Sequence, residues 1–195
     1  AQKCVNEYID GSWENFRKLE LFASKVDVVT SEFENIPAKS LNILSKMTKV
    51  HPSSLCFSIA QKRNKEKELA SKSGFIVPKW YRIKSIDDLK KYSKLLNYEC
   101  ILKTNSLGYD GKGQILISKN INLNKIWNDI DFEDCILEEK IKFDREISIL
   151  YAKSVNETEC FFPLSENYHN NGILKSTVAP ATLEPKLINN LKYMV

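Results

Sequence analysis

Glycine is scarce in this chain. Only six occur in 195 residues, and three of the six fall between positions 108 and 113. Elsewhere few positions tolerate a left-handed backbone, so the freest stretch of chain is that one segment. Histidine is scarcer still, at two (His51 and His169), and the five cysteines, Cys4, Cys56, Cys100, Cys135 and Cys160, stand far apart with no C-x-x-C pair. A soft-metal site needs clustered thiolates or imidazoles, so this pattern argues against zinc. Scattered thiols in odd number also fit reduced cysteines in a reducing compartment rather than a disulfide framework. Cys100 and Cys135 sit among apolar, strand-like neighbours and are predicted to be small buried hydrophobes.

Long apolar runs are missing too. The stretch Ile147 to Ala152 covers a few residues and contains Ser148, far short of the roughly 20 a bilayer-spanning helix needs. No basic segment followed by an apolar one opens the chain, so no secretory leader is expected and the location is expected to be cytoplasmic. Charge of one sign is not concentrated either. The 29 basic and 25 acidic residues interleave, as in Arg63-Asn64-Lys65-Glu66-Lys67-Glu68, which is the pattern of a solvated helix face. A nucleic-acid binder concentrates basic residues with aromatic stacking platforms, and none is visible, so neither nucleic acid nor membrane is expected as a partner. What is present is ordinary for a globular protein: 43% hydrophobic and 28% charged residues, in a chain long enough for one domain or two small ones.

Periodicity divides the chain. Ser12 is placed to cap a helix with Trp13, Phe16, Leu19, Phe22 and Ala23 on one face, followed by a buried strand at Val26 to Thr30. Pro37 opens a second helix with Leu41 and Leu44 inward, and Lys49-Val50 reads as another strand. Helix–strand–helix–strand is the pattern of an open α/β sheet, and so small a sheet predicts further strands before Ala1. Pro52-Ser53-Ser54 marks a boundary and begins a helix over Leu55 to Ser73, closed by Gly74. Phe75 to Pro78 is expected to be a short strand or an extended linker. Ser85 caps a helix through Leu96, with Asp88 as its capping-box partner. Strands are then expected at Cys100 to Thr104, Ile115 to Ser118, Cys135 to Glu138, Glu146 to Ala152 and Cys160 to Leu164, with one helix over Leu123 to Ile130. That second part reads as an antiparallel α+β unit.

Three constellations carry chemistry. The first is the loop Gly108-Tyr109-Asp110-Gly111-Lys112-Gly113-Gln114, entered from a strand ending Leu102-Lys103-Thr104. Glycines let backbone N–H groups converge on an anion, and Lys103 and Lys112 bring ammonium groups to the same place. A strand follows the loop, so it is neither a P-loop nor a dinucleotide fingerprint. A plain hairpin turn at Asp110-Gly111 is the competing explanation. The second constellation is Glu138-Glu139-Lys140-Ile141 with Asp144-Arg145-Glu146-Ile147-Ser148. Its carboxylates suit an adenine amino group and ribose hydroxyls, and equally a charged edge that resists aggregation. The third, Glu166-Asn167-Tyr168-His169-Asn170-Asn171-Gly172, is expected to be a polar loop after a strand, in which His169 suits a phosphoryl oxygen.

Taken in order, these segments resemble an ATP-grasp enzyme, and specifically the 5-(carboxyamino)imidazole ribonucleotide synthase family, a carboxylase and ligase of purine biosynthesis. The resemblance runs collinearly through Asp27 to Pro37, Gln61-Lys62-Arg63, the glycine loop, Phe143 to Ser148, Phe162-Pro163-Leu164, Glu166-Asn167 with His169, and Ala179-Pro180-Ala181. It implies the C-terminal part of a Rossmann-like, pre-ATP-grasp domain over residues 1–52. The first and central part of an ATP-grasp domain follows over 53–195, with a nucleotide flap at 103–117. The implied reaction is ATP-dependent carboxylation of 5-aminoimidazole ribonucleotide by bicarbonate through carboxyphosphate. The implied ATP-binding residues are Arg63, Lys103, Gly108, Tyr109, Asp110, Gly111, Lys112, Gly113, Gln114, Glu138, Glu139, Lys140, Ile141, Glu146 and His169. Tyr109, Asp110 and Lys112 would also face the ribonucleotide, with Asp110 and Lys112 in catalytic roles. Glu32 would contact the ribonucleotide, ahead of Glu34.

The resemblance further implies magnesium, with ligands expected beyond residue 195 and none in this segment, and a homodimer when full length. The chain is therefore expected to be an internal piece, inactive alone. Two positions depart from the family pattern: Asn105 stands where an arginine is common, and Lys62 where an aspartate is common. Formate-dependent ribonucleotide transformylases and biotin carboxylase-like ligases share the nucleotide motifs and are alternatives, as is a non-catalytic nucleotide-binding module.

Overall fold

The architecture is that of a computed structural model, which describes residues 4–108, 113–130, 134–170 and 172–195. The chain forms two compact units, residues 1–67 and 68–195. Among the described residues no helix is long and apolar enough to cross a membrane.

In the first unit, helix α1 (Phe16–Ala23) is capped by Asn15, whose side chain accepts from the Lys18 amide. Ser12, expected as the cap, instead lends its carbonyl to the Asn15 amide in the preceding turn. The four-residue spacing of Leu19 and Ala23 places both inward, where they are buried. Strand β1 (Val28–Val29) pairs in parallel with β2 (Lys49–Val50), and helix α2 (Ala38–Leu44) connects them. The fixed φ of Pro37, −56°, precedes α2 as expected of a residue that sets a helix start. Leu19, Ala23, Val29, Ile36, Leu41, Leu44, Val50 and Phe57 form one core.

The single helix expected over 55–73 is two: α3 (Ser54–Ala60) and α4 (Arg63–Lys72). The break falls at Gln61, whose side chain turns to the carbonyls of Glu34 and Ile36. The units divide at Lys67/Glu68, fifteen residues beyond the boundary drawn from Pro52. At its far end α4 closes in a Schellman turn. Gly74 has φ +88°, its amide donates to Ser71, and the Phe75 amide donates to Ala70.

In the second unit, strand β3 (Trp80–Ile83), absent from the sequence expectation, edges a four-stranded sheet. The order is β3-β6-β4-β5, with β4 (Cys100–Thr104), β5 (Gln114–Ile117) and β6 (Cys135–Glu139), and every neighbouring pair is antiparallel. Alternation sends Cys100, Leu102, Cys135, Leu137, Ile83 and Ile117 to one face. There they form a single core with Leu89 and Leu96 of the segment around α5 (Ile86–Leu95) and Ile126 of α6 (Leu123–Asp129). Leu102 and Leu137 are fully buried, each contributing roughly 1.5–3 kcal/mol of transfer free energy. Tyr81 stacks on Tyr92 of α5, centroids 4.2 Å apart. Ser85 caps α5 by accepting from the Asp88 amide, and Asp88 reaches back one residue further than expected, to the Lys84 amide.

The expected strand over 146–152 is likewise two, β7 (Glu146–Ser148) and β8 (Tyr151–Lys153), because each finds a different partner. Strand β8 forms a hairpin with β9 (Glu159–Phe161), while β7 joins β10 (Ser165–Asn170) and β11 (Ile173–Val178) in the order β11-β10-β7. The stretch expected as a polar loop after Leu164 is thus strand β10. Its alternation is broken by a register shift between Tyr168 and His169, which hid it from a period-2 search. Helix α7 (Pro185–Met194) ends the chain.

Candidate functional site

The face of the four-stranded sheet turned away from α5 and α6 carries Trp80, Arg82, Ile101, Lys103, Gln114 and Glu138, placed there by the same alternation that buries their neighbours. Lys103 lies opposite Gln114 on one side and Ile136 on the other, while Ile101 lies opposite Glu138. Lys103 and Glu138 are therefore diagonal neighbours on one face, and their side chains form an ion pair. The pair is largely out of water, with side chains 20% and 9% exposed. The Lys103 ammonium is thus held at this sheet face with its charge balanced by the Glu138 carboxylate.

The glycine loop leaves the sheet at this point. The Thr104 amide donates to the Gly113 carbonyl at 2.8 Å, closing the root of the loop. Gly113 has φ +73°, and a Cβ there would meet Thr104 Cγ2 at 2.6 Å, so only glycine fits. Gly108 and Gly113 are the described ends of the loop; Tyr109, Asp110, Gly111 and Lys112 lie outside the described residues. At the foot of the loop sits a network that the sequence did not suggest. Asp134 accepts from Arg82 through both carboxylate oxygens, at 3.0 and 3.2 Å, and from Asn105 Nδ2 at 2.7 Å, while its carbonyl accepts from the Asn105 amide. Arg82 and Asp134 are 52 positions apart, beyond the reach of any local pattern.

Glu138 and Glu139 end β6, and the next amides are tied inward: Glu139 to the Lys79 carbonyl and Lys140 to that of Glu99. Ile141 follows, exposed.

The second sheet gathers Glu146 and His169, with His169 Nδ1 3.3 Å from a Glu146 carboxylate oxygen. Glu146 lies opposite Asn167, which donates to Ser148 Oγ and accepts from Thr177 Oγ1 at 3.0 Å, giving a polar face. The neighbouring residues face the other way: Arg145 grips Glu166 through two hydrogen bonds, one of 2.7 Å. Hydrogen bonding from Arg145 holds the Glu166 carboxyl below the usual carboxylate range and raises Arg145 in return. This clamp locks β7 to β10 and so fixes the register that brings Glu146 to His169.

In the first unit, Arg63 opens α4 and Glu32 lies in the loop after β1. Glu32 lines a cavity of about 750 Å³ whose walls include Tyr8, Phe22, Val29, Phe33 and Leu41. Glu34 lends its carbonyl to Gln61. Burial raises the Glu66 carboxyl above its usual range, partly offset by the charge of Arg63. Among the described residues no group of three or more His, Cys, Asp or Glu converges on a metal position.

Residues 68–195 match the ATP-grasp domain, and residues 1–61 match the ribonucleotide synthetase preATP-grasp domain. A bifunctional purine synthesis protein, purC/E, of Dictyostelium discoideum is 37% identical over 176 residues, covering 88% of this chain and 18% of that protein. An N5-carboxyaminoimidazole ribonucleotide synthase of Staphylococcus aureus (strain COL) is 33% identical over 180 residues, covering 92% of this chain and 48% of that one. The crystal structure of N5-carboxyaminoimidazole synthetase from Staphylococcus aureus complexed with ADP superposes with a TM-score of 0.90 at 31% identity, over 98% of this chain and 52% of that chain. The chain spans about half the length of the curated synthase it matches.

Proposed function

This chain belongs to the ATP-grasp family, and on that footing we propose that it is the nucleotide-binding half of an enzyme that carboxylates 5-aminoimidazole ribonucleotide with bicarbonate at the expense of ATP. The observation that carries the proposal is the desolvated Lys103–Glu138 pair on the sheet face turned away from α5 and α6, at the root of a loop where only glycine fits. A polyphosphate laid on that face would meet the Lys103 ammonium beside the root of the glycine loop.

In the proposed reaction a bicarbonate oxygen attacks the γ-phosphorus and ADP leaves. The exocyclic amine then attacks the carbon of carboxyphosphate, inorganic phosphate departs, and the amine loses a proton. Such chemistry asks the protein mainly to position and to neutralise charge. Lys103 contacts the phosphates, and Gly108, Gly113 and Gln114 anchor the flap. Glu138, Glu139, Lys140 and Ile141 border the adenine, and Glu146 accepts from a ribose hydroxyl. Glu146 also holds His169 toward a phosphoryl oxygen. Tyr109, Asp110, Gly111 and Lys112 are assigned to the flap from the glycine pattern and the resemblance together, while Arg63 is assigned to the ATP site and Glu32 to the ribonucleotide on the strength of the resemblance. The same holds for a cytoplasmic homodimer as the working assembly. A divalent cation would supply charge neutralisation of the phosphates in this family's chemistry, with its ligands expected beyond residue 195.

Calorimetric titration of this chain with ADP and ATP tests the first half of the proposal, and absence of nucleotide binding overturns it. Phosphate release by the whole protein tests the second half. Release is expected only when bicarbonate and aminoimidazole ribonucleotide are both present, and turnover that needs neither would discard carboxylation.

A further inference from the structure

Gln61 ends α3, two residues before Arg63. Its side-chain nitrogen donates to the carbonyl of Glu34 at 2.8 Å and to that of Ile36 at 2.5 Å. A carboxamide has two N–H donors, and both are used here on the same strip of backbone. That strip, Ser31 to Ile36, has no ladder of its own. Ser31 Oγ donates to the Phe33 carbonyl at 2.9 Å, and Ile36 is buried in the first-unit core. Among the described residues, the Glu34 and Ile36 carbonyls both accept from the Gln61 carboxamide. Glu32 lies within the same strip, on the wall of the first-unit cavity. Beyond Gln61, burial raises the Glu66 carboxyl and the like charge of Glu34 nearby raises it further, against the opposing charge of Arg63.

We infer that Gln61 is a positioning residue for ribonucleotide binding: its carboxamide clamps the segment 31–36 to the α3–α4 junction and so sets where Glu32 meets a sugar-phosphate ligand. The clamp requires a neutral double donor. A carboxylate of the same size would face two carbonyl oxygens and repel them, and a shorter amide would not span the gap. Packing alone does not explain the residue, because its nonpolar stem is shared by glutamate while its hydrogen-bonding end is not. The inference rests on the assignment of Glu32 to the ribonucleotide.

Three variants of the whole protein, Gln61→Ala, Gln61→Glu and Glu32→Ala, are compared by hydrogen exchange and by titration with aminoimidazole ribonucleotide and, separately, ADP. Both Gln61 variants are expected to speed exchange across residues 31–36. They are also expected to weaken ribonucleotide binding on the order of tenfold, the size of one to two lost hydrogen bonds, while ADP affinity stays within about twofold. Gln61→Glu is expected to do at least as much damage as Gln61→Ala, although it preserves volume. Added to Glu32→Ala, neither should cost further ribonucleotide affinity. Unchanged exchange in 31–36 overturns the clamp. Equal weakening of both ligands, or a Gln61→Glu variant that binds like the parent, reduces Gln61 to a packing residue and overturns its positioning role. A parent protein that binds no ribonucleotide overturns the assignment of Glu32, and the role given to Gln61 with it, whatever the exchange shows.

Discussion

Replacing Gly113 by alanine puts the loop root to the test. Two costs meet at this position. The backbone has φ +73°, a region that charges a residue with a Cβ roughly 1–2 kcal/mol. The new methyl would also stand 2.6 Å from Thr104 Cγ2, about 1 Å inside ordinary carbon contact. Thr104 cannot turn aside freely, because its χ1 is stiff and its Oγ1 donates to the Ser106 carbonyl at 2.7 Å. Overpacking of this kind costs roughly 1–3 kcal/mol, so the two together come to about 2–5 kcal/mol. The measurement is urea unfolding in a Trp13→Phe background, which leaves Trp80 and Trp127 to report on the second unit alone. Thr104→Ser removes the clashing methyl and keeps the hydroxyl. In the Gly113→Ala background it should restore the contact portion and leave the backbone portion, which a double-mutant cycle separates. A Gly113→Ala protein within about 0.5 kcal/mol of the parent, the range of an inconsequential surface change, would refute this account of the loop root.

Other perturbations reach different parts of the molecule. Lys103→Ala should weaken ADP and ATP binding by roughly 1.5–3 kcal/mol, the size of a charge-assisted hydrogen bond, and unchanged affinity by calorimetry would remove Lys103 from the site. The Glu166 carboxyl is held below its ordinary value by the Arg145 hydrogen bonds. The stability it contributes is therefore present above the unfolded carboxylate range and lost as pH falls through the depressed folded value. Acid unfolding of Glu166→Gln should consequently be less pH-dependent than that of the parent below about pH 4.5, the ordinary carboxyl value, and superimposable acid limbs would contradict the clamp. Burial pushes the Cys100 and Cys135 thiols up to about 11. At pH 8 an aromatic disulfide reagent should modify Cys4, Cys56 and Cys160 quickly and the two core thiols only after unfolding, and fast release of all five would show the core to be open.

Where sequence and structure agree, a short-range signal was strong. The strands around Leu102, Ile115 and Leu137 are short apolar runs bounded by polar residues, and Ser85 stands three residues before Asp88 at the start of helix α5. Where they part, a tertiary partner decided. Nothing local distinguishes Gln61 from its neighbours as a helix end, because its carboxamide answers to carbonyls 25 and 27 residues earlier. Strand β3 was overlooked because the apolar run Phe75-Ile76-Val77 drew the expectation to itself. Ile76 is in fact 96% exposed, and the strand lies beyond Pro78, where Trp80 and Arg82 meet β6. The polarity of Glu166, Asn167 and His169 suggested a loop, yet both faces of their strand are occupied by polar partners.

The candidate site follows the same division. Its glycines and lysines stood out in the sequence because a loop proposed to hold phosphate asks for those residue types in one stretch. Its supports were not, and Asn105 shows why. In a chain resembling a family that commonly has arginine at this point, asparagine looked like a loss of charge. The structure gives it another meaning. Asn105 is 1% exposed, and its side chain and its amide both donate to Asp134, whose carboxylate also takes the two-pronged grip of Arg82 from the neighbouring strand. The positive charge beside the loop is supplied from β3, and the residue at the loop root is free to be small, neutral and buried. Substituting arginine at Asn105 would therefore set a second guanidinium against Arg82 in a place with no room for it, so matching the family pattern at this one position should loosen the root of the loop.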